Sequence, residues 1–328
     1  MSEASFVKLP KQDTANTDEL FRFIDKDSIE SEKITAPRYS YWRSVFRVFF
    51  RKKINTVLII LFALLLLGAF IIPQFAPYAP YENVTDATSF NLSPAKAMEK
   101  YGGFSFKYLL GTGGMGNSIF YGIWASAQTS LELAVICAAI NMTIGIILGA
   151  VWGYSKKFDQ FMLVIYNIIA NVPYILLITV LVYIIGSGFW SFVFALTVTG
   201  WLGISYFFRT QVMIIRDREY SLASRCLGTP VNRMISKNIL PFLTSVTVTL
   251  LATELPSYIS MEVFLSYIGV GLSANVPSLG RMIQEAQSAF IVYPWEFWPP
   301  VAVASMITII LYVLGQNLAD ATDPRTHM

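Results

Sequence analysis

The chain has 328 residues, of which 55% are hydrophobic and only 14% charged, and its formal net charge is +3 at pH 7. Ordinary soluble domains are about 25% charged, so the composition excludes most soluble enzymes, disordered proteins and DNA-binding domains, and no nucleic-acid partner is expected. Two cysteines, Cys137 and Cys226, are too few for a disulfide scaffold. The one histidine, His327, lies next to the C-terminus, which excludes a histidine-based metal site or catalytic triad within the chain. The remaining class is a polytopic membrane protein.

The first predicted element is an amphipathic helix over residues 41–53, which follows a polar tail of residues 1–40. Its apolar residues recur at helical spacing and are Trp42, Val45, Phe46, Phe49 and Phe50. Arginines four residues apart lie on another face, at Arg43, Arg47 and Arg51. This pattern favours a helix that lies on the cytosolic leaflet in contact with membrane lipid. A solvated basic tail is the alternative.

A helix needs about 20 apolar residues to cross a hydrocarbon core about 30 Å thick. Nothing before the first apolar run looks like a cleavable signal, so that run is expected to be an uncleaved anchor. The third and fourth runs are joined only by Gly186-Ser187-Gly188 and are expected to form an antiparallel hairpin. The predicted fold class is therefore an all-α polytopic membrane protein with six transmembrane helices over residues 54–318. The predicted spans are Ile54–Ile72, Ser130–Trp152, Phe161–Ile185, Phe189–Phe208, Phe242–Phe264 and Phe297–Leu318.

The distribution of lysine and arginine predicts the orientation, because these residues are enriched in cytosolic loops. Twenty of the 24 lie in the N-terminal tail, after span two, after span four and in the C-terminal tail. The other four lie in the remaining loops. Both termini are therefore expected in the cytosol, the C-terminal tail being residues 319–328. Residues 74–128 and 266–296 are expected outside, and the loop of residues 209–241 inside.

A glycine-rich segment, Gly111-Thr112-Gly113-Gly114-Met115-Gly116, matches the spacing of a dinucleotide-binding fingerprint. Such a fingerprint requires a strand before it and a helix after it in a parallel sheet, and none is predicted here. A phosphate-binding loop would require a lysine where Asn117 stands. We therefore interpret the segment as an external turn that leads into a short helix before span two.

Three glutamates fall within predicted spans, where charged side chains are costly and usually face a cavity or a partner. Glu132 lies near the outer end of span two, Glu254 near the middle of span five and Glu262 near its outer end. Glu254 and Glu262 lie within about 80° of each other on one helix. One interpretation is a polar translocation path that meets a cationic substrate group, and the other is hydrogen bonding between packed helices. For Glu254 both remain open, whereas packing is favoured for Glu132 and Glu262.

The loop after span four has the most informative pattern. Gly228 can adopt the left-handed conformation that closes one helix, Thr229 can cap the next, and Pro230 suits its first turn. Two short amphipathic helices are therefore expected to meet at an angle. One face carries Leu222, Ala223, Cys226 and Leu227, and another carries Arg218, Ser221 and Arg225. The built-in bend favours a protein-docking element over a loop that lies on lipid.

This loop resembles the EAA motif of ABC importer permeases. Leu222-Ala223-Ser224 stands at the EAA position, and Gly228, Leu240 and Pro241 are in register. The motif glutamate is missing, with Glu219 nearby as a candidate substitute, and Asn238 replaces the motif isoleucine. The resemblance implies a role in coupling to ATPases for Glu219, Leu222, Ala223, Ser224, Arg225, Leu227, Gly228, Leu240 and Pro241.

The resemblance extends to the C-type permease subunit of dipeptide and oligopeptide ABC importers. Three charged residues of that family's external segment are replaced here, by Gly113, Asn117 and Ser118, and Glu254 stands where the family usually has a small residue. The other matching segments are Trp42–Lys53, Ala76–Pro80, Leu110–Thr112 with Gly116, Glu262–Gly271 and Leu314–Arg325.

The resemblance implies a type I importer permease fold in a bacterial plasma membrane. It also implies that the chain is half of a heterodimeric channel, with a sister permease, two cytosolic ATPases and an extracellular peptide-binding lipoprotein. The ATPases would bind ATP and magnesium, so neither a cofactor, a metal nor catalysis is expected in this chain. The alternatives are a self-sufficient secondary transporter or channel, and an ABC permease for nickel or another small solute.

Overall fold

The computed structural model describes residues 40–78 and 87–323. Residues 1–39 of the predicted N-terminal tail, Ala79-Pro80 and the segment Pro324–Met328, which includes Arg325 and His327, lie outside the described residues. The described part contains α-helices, short 3₁₀ and π-helical turns and one isolated β-bridge, between Thr112 and Ser118, but no strand. The helices are α1 (Tyr41–Arg51), α2 (Lys53–Phe75), α3 (Pro94–Lys100), α4 (Ile119–Tyr154), α5 (Lys156–Ala170), α6 (Tyr174–Ile185), α7 (Phe189–Thr197), α8 (Trp201–Arg216), α9 (Glu219–Cys226), α10 (Val231–Arg233), α11 (Thr244–Tyr267), α12 (Leu279–Ala286) and α13 (Pro294–Thr322).

Helix α1 forms where the amphipathic pattern predicts it, but its apolar face is divided between two environments. Val45 and Phe49 are buried, whereas Trp42, Phe46 and Phe50 are about half exposed. The chain turns from α1 into α2 next to Asn55, whose side-chain amide donates a hydrogen bond to the Phe49 carbonyl at 2.8 Å. The buried pair therefore holds α1 on the protein, while the exposed aromatic residues can contact lipid headgroups.

Five of the six predicted spans coincide with helical stretches long and apolar enough to cross a membrane, and one of these, Phe189–Arg216, comprises α7 and α8. The predicted third span, Phe161–Ile185, corresponds to two helices, α5 and α6, bent by 78° to each other. Proline lacks a backbone N–H and disfavours helical geometry in the preceding residue, so Pro173 ends α5 before α6 begins. The bundle therefore contains five single spans and one broken span.

Helix α4 is longer than the predicted second span. Its 36 residues correspond to about 54 Å at 1.5 Å per residue, which exceeds the thickness of a hydrocarbon core. The short helix expected before span two is the first part of this same helix. Ser118 begins it, because the Ser118 hydroxyl accepts a hydrogen bond from the Tyr121 N–H at 3.2 Å.

The core of the bundle is organised around α4, which packs against α2, α8 and α11. A large apolar cluster surrounds the first half of α4 and includes Phe192, Ile259 and Ile307. A second cluster surrounds its last turns and includes Phe208 and Met234. The central position of α4 explains its near-uniform apolarity, since a helix buried on most sides has no polar face.

Close packing of α4 on α8 depends on three glycines four residues apart, Gly145, Gly149 and Gly153. A Cβ atom added to Gly149 would lie 2.6 Å from the Ser205 carbonyl oxygen, and one added to Gly153 would lie 2.6 Å from the Arg209 carbonyl oxygen. Small residues at this spacing allow helix backbones to approach closely in a membrane. The spacing of the three glycines can be read from the sequence, and the apolar residues around them predict a membrane span. The sequence does not show that α8 is the helix that packs against them.

The broken span is fastened to the same pair of helices by an ion pair. Arg209 on α8 pairs with Asp159 on α5 through its side-chain nitrogens. The Trp152 indole of α4 donates to the same Asp159 carboxylate at 2.7 Å. The Arg209 guanidinium also lies over the Trp152 ring, 5.6 Å from its centroid. An ion pair, a hydrogen bond and a cation–π contact therefore hold α5 against α4 and α8.

The start of α2 and the end of α13 lie at the same end of the bundle. Lys52 donates to the Asn317 side chain at 2.7 Å and lies 3.5 Å from the Asp320 carboxylate. Asn317 in turn donates to the Asn55 side chain at 2.7 Å. The first and last spans are therefore joined at this end of the bundle.

Candidate functional site

Helix α9 lies in the predicted docking loop and ends in a Schellman motif. Gly228 has a φ of 77°, which confirms the predicted left-handed conformation. The Gly228 N–H donates to the Arg225 carbonyl at 2.9 Å, and the Thr229 N–H donates to the Ser224 carbonyl at 3.2 Å. These two bonds satisfy carbonyls that would otherwise be unpaired at the helix end, so the bend of the loop has a defined geometry.

The second half of the loop differs from the prediction of a separate short helix. Helix α10 continues through a π-helical turn, Met234–Ile239, and a 3₁₀ turn, Leu240–Leu243, into α11. Pro230 occupies the N-cap position, and no side chain caps this helix, so the predicted cap from Thr229 is wrong. Pro241 lies in the first turn of the 3₁₀ segment, where its missing N–H disturbs the regular α-helical ladder. The second half of the loop is therefore helically continuous with the fifth span.

The base of α9 is anchored to the end of α4. The buried Arg216 side chain donates to the Gly153 carbonyl at 2.9 Å and pairs with Asp217 at 3.0 Å. The hydrogen bond from Arg216 lowers the pKa of the Asp217 carboxyl. Ser221 is buried and donates to the Ile215 carbonyl at 2.9 Å, and Arg225 lies 5.0 Å from the centroid of the Tyr154 ring. The end of α8, which precedes α9, and Arg225 within α9 therefore both contact the end of α4.

The predicted apolar face of α9 points outward. Leu227 is 86% exposed and Leu222 is 45% exposed, whereas the side chain that packs inward is Ser221. Ser224 and Leu240 are half-buried, and Ser224 accepts a hydrogen bond from Asn238 at 3.1 Å. The other residues that the resemblance implicates are exposed: Glu219, Ala223, Arg225, Gly228 and Pro241. We call the exposed residues 219–228 the docking face.

Glu262 is completely buried and joins three helices. Its carboxylate accepts hydrogen bonds from the Ser130, Ser266 and Ser278 hydroxyls at 2.9, 2.9 and 2.7 Å. The Ser130 hydroxyl also accepts from the Leu279 N–H at 3.2 Å. These bonds connect α4, α11 and the start of α12. The geometry agrees with the packing interpretation, because a fully buried carboxylate that already accepts these hydrogen bonds is not accessible to a transported substrate.

We expect Glu262→Ala to lower the thermal midpoint of the purified protein strongly, because three hydroxyls lose their shared acceptor. A buried polar group left without a partner costs about 1–3 kcal/mol. Glu262→Gln keeps a carbonyl oxygen in place and is expected to be milder. The measurement is the unfolding midpoint in detergent. A larger loss with glutamine than with alanine would contradict the packing role.

Glu132 lies in a third environment, separate from those of Glu254 and Glu262. Its Oε1 accepts a hydrogen bond from Gln128, one turn earlier on α4, at 2.8 Å. It lies beside an apolar cavity of about 380 Å³ lined by residues such as Phe62 and Leu255. The contact within one helix favours a local packing role for Glu132.

Glu254 has a different environment from the other two glutamates. It is half-buried and lines a cavity of about 300 Å³ together with Tyr174, Thr199 and Tyr258. The Tyr258 hydroxyl accepts a hydrogen bond from the fully buried Asn141 at 2.6 Å. None of these four residues around Glu254 was predicted from the sequence. The signal that could have found them is their polarity within apolar spans.

The helices long and apolar enough to span a membrane define the class of the protein, which is a multi-pass helical membrane protein. The chain belongs to the family described as "binding-protein-dependent transport system inner membrane component", whose model matches residues 141–328. A second model, "N-terminal TM domain of oligopeptide transport permease C", matches residues 40–94. The resemblance inferred from the motifs is thereby confirmed.

Several known proteins are similar over nearly their whole length. The chain is 42% identical over 94% of its length, and over 98% of the relative, to the oligopeptide transport system permease protein AmiD of Streptococcus pneumoniae. It is 30% identical to the oligopeptide permease protein OppC of Bacillus subtilis, covering 90% of this chain and 93% of the relative. It is also 30% identical to the dipeptide permease protein DppC of the same species, with 96% of each chain covered.

Proposed function

We propose that this chain is the oligopeptide-transporting permease subunit of an ABC importer and forms half of its channel. The chain covers nearly all of its relatives, which are named as oligopeptide and dipeptide permeases, and this supports a peptide cargo. The other half of the channel would be a sister permease. Two cytosolic ATPases and an extracellular peptide-binding lipoprotein complete the assembly. A self-sufficient transporter or a nickel permease has no comparable support.

The observation that carries the coupling role is the continuity of the docking loop with α11. An ATPase bound at Leu222 and Leu227 would push on α9, whose base is anchored to α4 through Arg216. The α10 segment transmits the same movement directly into the fifth span. Because packed helices shift as rigid bodies, closure of the ATPases would change the position of α11 relative to its neighbours.

The docking face would lie in the cytosol and the glycine-rich segment outside. The loop, the start of α2 and the end of α13 share one end of the bundle, and most lysines and arginines fall there in the sequence. At the opposite end, Asn117 donates its side-chain amide to Tyr78, and its backbone carbonyl accepts from the Gly113 N–H at 2.9 Å. These bonds occupy the turn, so its glycines do not offer a nucleotide-phosphate cradle. ATP and magnesium would be bound by the ATPases.

Reconstitution tests this function directly. We expect the complete complex in liposomes to accumulate an oligopeptide with ATP, and the purified chain alone to show no saturable ATP binding. A variant of the ATPase that lacks its phosphate-binding lysine is the control, and it should abolish accumulation. Saturable nucleotide binding by the isolated chain, or accumulation without ATPases, would contradict the proposal.

A further inference from the structure

The cavity beside Glu254 contains a carboxyl and several hydroxyls although it lies among the membrane-spanning helices. Its side chains come from α6, from the turn between α7 and α8, and from α11. Its volume is about 300 Å³, which is at the lower end of the range for small-ligand sites. The side chains that line it are Tyr174, Thr199, Glu254, Ser257, Tyr258 and Met261.

Two buried oxygens at this cavity have no hydrogen-bond partner. They are Oγ1 of Thr199, which lines the cavity, and Oδ1 of Asn141, which lies behind Tyr258. Buried polar groups in proteins are nearly always paired, so such groups require an explanation. Thr199 lines the cavity, so an occupant that reaches its hydroxyl oxygen would supply the missing partner.

The cavity presents one carboxyl and several hydroxyls, whose oxygens can accept hydrogen bonds. The Tyr174 hydroxyl donates its hydrogen to the Leu196 carbonyl at 3.0 Å. The Tyr258 hydroxyl accepts from Asn141 at 2.6 Å. The oxygens that remain available belong to the two tyrosines, Thr199 and Glu254. No lysine or arginine is among the residues that line the cavity within the described part of the chain.

A single carboxylate and several hydroxyls suit an organic ammonium group better than a divalent metal ion. Ammonium has three N–H donors and carries one positive charge, which matches one carboxylate and neighbouring hydroxyl oxygens. Within the described residues, no group of three or more histidine, cysteine, aspartate or glutamate side chains could hold a metal ion. An anion is disfavoured by Glu254 itself.

The cavity adjoins a larger groove on the surface of the bundle, with which it shares two lining residues. The groove, of about 560 Å³, runs between α11 and α13 and shares Ser257 and Met261 with the cavity. Four hydroxyl side chains lie along it besides Ser257: Thr253, Ser260, Thr308 and Tyr312. The Thr253 and Thr308 hydroxyls donate to carbonyls of their own helices, which leaves their oxygens able to accept. A molecule with an ammonium at one end and a polar chain behind it would fit the cavity and groove together.

We propose that the cavity beside Glu254 binds the amino-terminal ammonium of the transported peptide while its next residues lie in the groove. This inference rests on the proposed function. The cavity holds one terminal residue and not a whole oligopeptide, so it positions one end of the cargo. A lysine side chain offers the same chemical group, and the experiment separates the two sources.

The first experiment compares uptake of trialanine and of N-acetyl-trialanine by the complete importer in liposomes. Each peptide is measured with wild-type protein and with Glu254→Gln. The ratio of variant to wild type is taken for each peptide, so that any preference of the binding lipoprotein cancels. We expect the ratio to fall about tenfold for trialanine, as for loss of one charge-assisted hydrogen bond, and to stay near one for the acetylated peptide. Equal ratios for both peptides would overturn the proposal.

Three variants or peptides sharpen the result. Glu254→Asp keeps the charge and is expected to recover part of the uptake of trialanine. Glu99→Gln removes an exposed carboxylate elsewhere and should leave both ratios near one. N-acetyl-Ala-Ala-Lys retains only a side-chain ammonium. A fall of its ratio equal to that of trialanine would overturn the assignment to the amino terminus.

A second measurement does not depend on uptake. Saturation-transfer NMR of trialanine on the permease–ATPase complex in nanodiscs reports which methyl group contacts the protein. We expect the strongest transfer at the amino-terminal alanine, and its loss in Glu254→Gln. Strongest transfer at the carboxy-terminal alanine would refute the proposed orientation. Failure of the wild-type importer to take up any trialanine would instead refute the proposed function.

Discussion

Replacing Gly228 with valine is expected to reduce peptide uptake about tenfold or more while the membrane level of the chain stays normal. The φ of Gly228 is 77°, and a Cβ atom added there would meet nothing within 4 Å. The damage therefore comes from backbone conformation and not from a clash. A left-handed backbone costs an L-residue about 1–2 kcal/mol, and more for a β-branched side chain, and about 1.4 kcal/mol corresponds to a tenfold change in an equilibrium constant.

The change should act on coupling, because the Schellman bonds of Gly228 and Thr229 fix the angle at which the docking face is presented. Membrane level, ATPase subunits retained on pull-down and peptide uptake are measured together. Gly228→Asn is the matched control, since asparagine tolerates this conformation, and it should retain most of the uptake. Normal uptake by the valine variant at normal expression would refute the coupling role. A collapse of membrane level would show that Gly228 serves folding.

Replacing Gly149 with alanine is expected to lower the membrane level and the thermal midpoint, although alanine is the better helix former. In an exposed helix this substitution stabilises by about 1 kcal/mol. At Gly149 the new Cβ atom would lie 2.6 Å from the Phe208 Cβ and from the Ser205 carbonyl oxygen. Relief requires α4 and α8 to separate, and overpacking of this kind costs about 1–3 kcal/mol.

Gly203 supplies the matched control for stability, because it lies on α8 and an added Cβ atom meets nothing within 4 Å. Gly203→Ala should therefore leave the thermal midpoint unchanged or raise it. The pair of variants isolates packing, since both add one methyl group to a helical glycine. Equal midpoints for the two variants would show that the close approach of α4 and α8 contributes little to stability.

The features predicted well from the sequence are those with local causes. An apolar run of sufficient length must become a span in a bilayer, and the amphipathic spacing of residues 41–51 fixes the face of α1. The left-handed Gly228 follows from its place between one helical pattern and the next. Pro173 is a local signal too, but the continuous apolarity around it conceals the bend between α5 and α6.

The roles of the three glutamates could not be separated in the same way. Each is a carboxylate in an apolar run, and the sequence favours packing for Glu132 and Glu262 and leaves both interpretations open for Glu254, without identifying the partners of any of them. Ser130 and Ser278 make Glu262 a packing residue, yet they lie 132 and 16 positions away from it in the chain. Asn141, Tyr174 and Thr199, which surround Glu254 or Tyr258, come from three other helices or turns.

The sequence alone determined that this protein is a helical membrane permease, where its spans lie and where its docking loop bends, because each depends on residues adjacent in the chain. Only the tertiary structure decided that α10 continues into α11, that α4 and α8 meet through glycines, and that Glu254 faces a cavity while Glu262 is sealed. A burial environment is built from side chains brought together by helix packing. The identity of those neighbours is therefore not contained in any one segment.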